Sequence, residues 1–304
     1  MIAHQLALVR REFWEHRAIW IAPAAVALVL TLLVATSFVA ASNFGEVVDL
    51  AILGASNVGD AERRAALMAF LAGNTVIFVI EMWILTVFYG LDALYAERKD
   101  KSILFWRSLP ITDAETVVSK LLTAAVLIPV VTFVAVVGTH LVTLGVTSIW
   151  VNMQGASPMR IIWNSAPLFD AWAAILIVLL ATPVWLSPFI GWFLFVSAWT
   201  KRSPLLMAFL PLFVVPMLEY FTLRTSFLWT AIRTRVDGIP LFRGFDPGRF
   251  FDEHDLRVTA ESVSLLGQLD VIRFLTSPGL WAGLVVCGLF STAAIYVRRF
   301  RDES

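Results

Sequence analysis

The stretch AIWIAPAAVALVLTLLVATSFVAA, Ala18 to Ala41, carries no charged side chain. As a helix rising about 1.5 Å per residue it is long enough to cross about 30 Å of hydrocarbon. It is also longer than the apolar centre of a signal peptide, so it reads as a retained anchor rather than a cleaved leader. Five further runs pass the same length test, roughly Leu67 to Leu91, Val117 to Thr147, Asp170 to Trp199, Pro204 to Leu223 and Pro278 to Val297. The whole 304-residue chain agrees with them, being 59% hydrophobic and only 15% charged, with a mean hydropathy of +0.80. The expectation is an all-α polytopic membrane protein with six transmembrane helices.

The charges that remain are unevenly placed. Arg10, Arg11 and Arg17 precede the first span; Arg98, Lys99, Lys101, Arg107 and Lys120 lie between the second span and the foot of the third. Lys201 and Arg202 follow the fourth, and Arg298, Arg299 and Arg301 end the chain. The short connections of the opposite side offer only Arg63, Arg64 and Arg160. By the positive-inside rule both termini are cytoplasmic. A zero net charge, from 23 basic and 23 acidic residues, gives no global field for nucleic acid. Cys287, the single cysteine, excludes an internal disulfide and a cysteine-based metal site, and reads as a small buried hydrophobe. One membrane domain covers 1–304, with an interfacial helix over 1–17, a cytoplasmic segment over 96–116 and an external insertion between spans five and six over 224–277.

Two cytoplasmic stretches look made for contact. Before the first span, Ile2, Leu6, Val9 and Phe13 recur at helical steps while Arg10, Arg11, Glu12, Glu15 and Arg17 take other faces, an amphipathic helix expected to lie in the plane of the inner interface. Between spans two and three, YAERKDKSILFWRSLPITDAETVVSK (Tyr95 to Lys120) packs Ile103, Leu104, Phe105, Trp106 and Leu109 into one short helix that Pro110 stops. Thr112 and Glu115 then form a T-x-x-E capping box that starts the third span. A short charged helix joined rigidly to two spans is a mechanical handle for a partner protein.

Inside the spans, Glu81 and Glu219 are candidates for a polar pathway lining or an interhelical contact, because a carboxylate in hydrocarbon costs on the order of 3 kcal/mol. For Glu219 a place at the interface is the competing reading; for His140 packing is favoured. Pro183, Pro188, Pro204, Pro211 and Pro216 predict kinks in spans four and five. In the external insertion, GIPLFRGFDPGRFFDEHD reads as loop, and Val263, Leu266, Leu269, Ile272 and Leu275 predict a helix over Thr259 to Leu275.

Taken together, REFWEHR (Arg11 to Arg17), ERKDKSILFWRSLP (Glu97 to Pro110) with Ser119 and Lys120, PFIGWFLFVSAW (Pro188 to Trp199), KRSP (Lys201 to Pro204) with Glu219 downstream, SPGLWAGL and the terminal RRFRDES resemble permease subunits of the bacterial ABC-2 class of ATP-binding cassette transporters. The resemblance covers most of the chain outside the external loops. It implies a pathway subunit, in an exporter of the bacterial cytoplasmic (inner) membrane, that dimerises with a second copy or a close relative, the N-terminal helix and fifth span contributing to the interface. It also implies a coupling helix between spans two and three, involving Glu97, Arg98, Ser102, Phe105, Trp106, Arg107, Leu109 and Pro110. The interfacial helix, with Arg11, Phe13, Trp14, Glu15 and Arg17, becomes a connecting helix. No G-x-x-x-x-G-K-[ST] phosphate loop occurs, so no cofactor is expected in this chain and ATP with magnesium belongs to partner ATPase subunits. Three other classes compete. An intramembrane enzyme would need convergent catalytic groups, and His4, His16, His140 and His254 form no H-E-x-x-H pair. An ion-coupled carrier would use Glu81 and Glu219 without an ATPase. A membrane scaffold or sensor would transport nothing.

Overall fold

The computed structural model describes residues 2–42, 59–101, 110–164, 166–242 and 264–300. Among them the regular structure is helical, with one isolated antiparallel bridge, Phe242 to Leu269. Helix α1 is Ile2–Glu15, α2 Ala18–Ser42, α3 Asp60–Asp92 and the short α4 Tyr95–Lys99. Helix α5, Asp113–Leu122, runs through a π turn, Thr123–Leu127, into α6, Ile128–Met153. Then come α7 Leu168–Trp185, α8 Ser187–Trp199, α9 Pro204–Leu223, α10 Phe227–Asp237, α11 Val271–Thr276 and α12 Pro278–Phe300. Among the described residues six helices are long and apolar enough to cross a membrane, and the protein is a multi-pass membrane protein.

Local chemistry explains the departures from straight rods. Pro129 follows the π turn, in which the Ile128 amide reaches back to the Thr123 carbonyl; the widened turn relieves the pressure a proline ring puts on the carbonyl four residues earlier. The fourth span, expected as one helix from Asp170 to Trp199, is two. Pro188 has no amide to give the Val184 carbonyl, and the chain steps at Leu186 between α7 and α8. Helix α9 keeps Pro211 and Pro216 inside it and ends at Arg224, whose φ is 55°. The expected helix over Thr259 to Leu275 is not continuous where the structure describes it. Leu269 is extended to meet Phe242, and the Asp270 carboxylate accepts from the Arg273 amide to start the shorter α11. Residues 259–263 of that expected helix lie outside the described residues, as does most of the expected loop.

The core gathers where α2, α3, α6, α7 and α8 meet, around Phe78, Met82, Ile128, Val136, Leu179, Ile190 and Leu194. His140 is a packing residue. Its Nδ1 accepts from the Trp172 indole at 3.3 Å, so Nε2 carries the proton and donates to the Leu71 carbonyl at 3.1 Å, tying α6 to α3 and α7. The most intimate helix pair is α8 with α12, where Gly191 lies directly on the backbone of Cys287. Helices in lipid gain little from hydrophobic burial and associate through such close approach of small residues.

A methyl group at Gly191 would meet the Cys287 Cα and carbonyl at 3.0 Å, so Gly191→Ala must push α12 away. We expect a loss of about 1–3 kcal/mol, read as a lower thermal midpoint in detergent. Gly138→Ala, which meets nothing within 4 Å, should leave the midpoint unchanged or raise it.

Candidate functional site

At the end of the bundle where α1 and the last turn of α12 meet, charged side chains from far-apart segments converge in a buried cluster. Glu12 of α1 is fully buried. It accepts from Lys120 of α5 (3.1 Å), from Arg11 (2.6 Å) and from the Tyr89 hydroxyl of α3 (2.8 Å). Lys120 is itself 1% exposed, and its ammonium also holds Glu97 of α4 at 2.9 Å. The other Glu97 oxygen accepts from Arg298 of α12 at 2.6 Å, while the Nε of that arginine reaches Asp113 at the start of α5 (2.8 Å). Arg11 lies 3.4 Å from Glu97 and 3.2 Å from Glu15.

The balance of charge is what makes the cluster tenable. An isolated ion in such a place would cost several kcal/mol, repaid only when opposite charges and hydrogen bonds surround it. Here the carboxylates Glu12, Glu97 and Asp113 alternate with the cations Arg11, Lys120 and Arg298. Burial by itself would raise the pKa of Glu12. Lys120, His16 and Arg11 overcome that and hold the carboxyl well below the ordinary range.

The adjoining α4 is fixed just as firmly. Ser197 of α8 accepts from the Leu94 and Tyr95 amides (3.0 and 2.9 Å), and Arg98 donates to the carbonyls of Ser197 and Thr200 (2.5 and 2.7 Å). On the other side of the connection the expected capping box is formed: Thr112 Oγ1 accepts from the Glu115 amide, and the Glu115 carboxylate accepts from the Thr112 amide at 2.8 Å. Both feet of the segment are therefore fastened to the bundle. Ser102, Phe105, Trp106, Arg107 and Leu109, between those feet, lie outside the described residues, and Pro110 is exposed.

Helix α1 also has an inward face that the sequence reading did not single out. Of its apolar stripe, Leu6 is 69% exposed and Val9 and Phe13 are half-buried; Trp14, beside the stripe, is 63% exposed, while Leu8 and Glu12 are buried. Phe13 packs partly against the core and edge-on to Trp14; Arg17 stays at the surface. A charge with three partners outcompetes a leucine for the interior because the leucine finds an equally apolar medium outside, whereas the carboxylate does not. Glu12, Lys120, Asp113, Tyr89 and Arg298 were not singled out as site residues by sequence reasoning. The available signal was the stripe of Gln5, Leu8 and Glu12 at steps of three and four.

The two intramembrane carboxylates part company. Glu219 is a cap: it accepts from Thr225 Oγ1 (2.6 Å) and from the Phe227 and Leu228 amides (2.7 and 2.9 Å), satisfying the start of α10. Both oxygens of Glu81 are buried and have no hydrogen-bond partner among the described residues. Among the described residues no group of three His, Cys, Asp or Glu is arranged to hold a metal ion. Comparison with family models, characterised proteins and solved structures finds no match to this chain.

Lys120→Met leaves Glu12 and Glu97 short of a cation and should cost about 3–5 kcal/mol, whereas Glu12→Gln with Lys120→Met should cost less than the sum of the single changes. Thermal unfolding of the four proteins in detergent checks this. Because the folded pKa of Glu12 is depressed, its stabilisation is present above about pH 4.5 and is lost as pH falls below that value. The thermal midpoint should therefore drop on acidification, and Glu12→Gln should make the drop shallower.

Proposed function

We propose that this chain is the permease subunit of an ATP-driven exporter of the ABC-2 type, working as a dimer in a bacterial cytoplasmic membrane with both termini inside. Separate ATPase subunits bind the segment between α4 and α5. The observation that carries the reading is the convergence at the buried cluster. The stretches on which the resemblance rests contribute Arg11 and Glu12, Glu97 and Arg98, Lys120, and Arg298, and all but Arg98 join one ionic network. A push delivered to a segment fastened by Glu97 at one foot and by Asp113 and Thr112 at the other reaches α1, α5 and α12 together. That is the mechanical requirement of a coupling helix, and it accounts for a charged, aromatic interruption in so apolar a chain.

A carrier driven by an ion gradient is the competing reading, favoured by the partnerless carboxylate of Glu81 and not by Glu219, which is occupied as a cap. The two readings separate cleanly. Tagged protein purified in mild detergent from its own cells should bring down a stoichiometric ATPase, and Trp106→Ala should weaken that association by about 2 kcal/mol or more, about thirtyfold. Phe105→Ala with Trp106→Ala should leave insertion intact and release the ATPase or uncouple its hydrolysis. A chain that purifies alone and transports with an ion gradient while Glu81→Gln abolishes uptake would favour the carrier instead.

A further inference from the structure

At the opposite end of the bundle α10 folds back against α9 and α12, and its own side chains are all at least partly exposed. One face of this helix carries Leu228, Ile232 and Arg235 at steps of four and three. The two apolar residues line a cleft of about 240 Å³ whose other walls include Trp192 of α8, Leu212 and Val215 of α9 and Phe290 of α12. Arg235 stands at the end of that face. It donates to the Trp185 carbonyl at 3.2 Å and to the Gly279 carbonyl, and its guanidinium lies 4.2 Å from the centre of the Trp185 ring. The Trp185 indole returns a hydrogen bond to the Arg235 carbonyl at 2.9 Å. Gly283 leaves room for the guanidinium, since any side chain there would collide with it.

Two features distinguish this arginine from the buried cations of the other end. No carboxylate pairs with it among the described residues; Asp237 on the same helix is taken by Arg233 at 2.8 Å. Two carbonyls also use only part of a five-donor guanidinium. Its level in the bundle follows from Gly279, in the first turn of α12, while Phe290 in the cleft is roughly 16 Å further along that helix. Arg235, one turn beyond the lining residue Ile232 and on the Gly279 side of the cleft, does not itself line it; the arrangement is an apolar slot, of a volume that takes part of one acyl chain, with a cation adjoining it.

We infer that the cleft between α8, α9, α10 and α12 binds an anionic phospholipid of the surrounding bilayer, one acyl chain in the slot and the phosphate on Arg235. The charge complementarity selects the occupant: neutral chains suit the slot equally well, but only an anionic headgroup answers the unmatched guanidinium. The site lies at the opposite end from the ionic cluster and holds whether or not the chain works with an ATPase.

The test is native mass spectrometry of the full chain in neutral detergent, titrated with dioleoyl phosphatidylglycerol or dioleoyl phosphatidylcholine. Phosphatidylglycerol should bind tighter by roughly fivefold or more, the scale set by one basic side chain near an anionic lipid. Arg235→Gln should erase the preference, and Arg235→Lys, which keeps the charge should the Gln variant unfold, should retain it. Leu212→Trp fills the slot while sparing Arg235 and should remove binding of both lipids. Glycerol phosphate, a headgroup without chains, should not compete. Equal affinity of the wild type for the two lipids, a preference that survives Arg235→Gln, or competition by glycerol phosphate would overturn the proposal. So would lipid-independent dimers that Leu212→Trp dissociates, which would make a second copy the occupant.

Discussion

The ammonium of Lys120 sits between two buried carboxylates, 3.1 Å from Glu12 and 2.9 Å from Glu97, and the architecture of one end of the molecule depends on that placement. Glu12 belongs to α1, which Leu8 and Phe13 also seat against the bundle, and Glu97 to a five-residue helix that Arg98 also ties to α8. Lys120 belongs to the foot of the longest span. Through it, and through Arg298 on the far side of Glu97, the N-terminal helix, the connecting segment and the third and last spans act as one body. None of Lys120, Glu12 and Glu97 can be removed without leaving an uncompensated charge in a dry place, so the network is stiff in a way that greasy packing alone is not.

The other end is organised differently. There the helices approach through glycines, Gly191 against Cys287 and Gly283 against Arg235, and carboxylates serve as caps rather than as ion-pair centres. Pro188 of α8 and Pro211 and Pro216 of α9 line the cleft at that end, and a second cleft of about 320 Å³ opens beside the ionic cluster between His16, Tyr89, Tyr95 and Pro204.

Much of this was legible in the sequence because it is local. Uncharged runs of about 20 residues announce the spans, and Thr112 with Glu115 announces the helix start, since both signals lie within a few turns. The break at Leu186 was visible only as Pro183 and Pro188, which predict a kink but not two helices. The burial of Glu12 on the inward face of α1 was not legible because periodicity assigns a carboxylate to the outside. What reverses that rule is a set of partners 77 and 108 residues away, Tyr89 and Lys120, that no local window contains. Glu97 and Arg298, 201 residues apart, are subject to the same limit. Glu219 was legible as a residue near an interface, and its role as a cap needed the reversal at Arg224 to bring the α10 amides round to it.

The most direct test of the ionic body is hydrogen exchange on the full chain in detergent, comparing the wild type with Lys120→Met. If the cluster joins the elements, the amides of Ile2–Glu15, Tyr95–Lys99, Asp113–Leu122 and the last turn of α12 should lose protection together in the variant, with the glycine-packed contacts of Gly191 and Cys287 unchanged. Loss confined to the turn around Lys120, with α1 and α12 as protected as in the wild type, would contradict it.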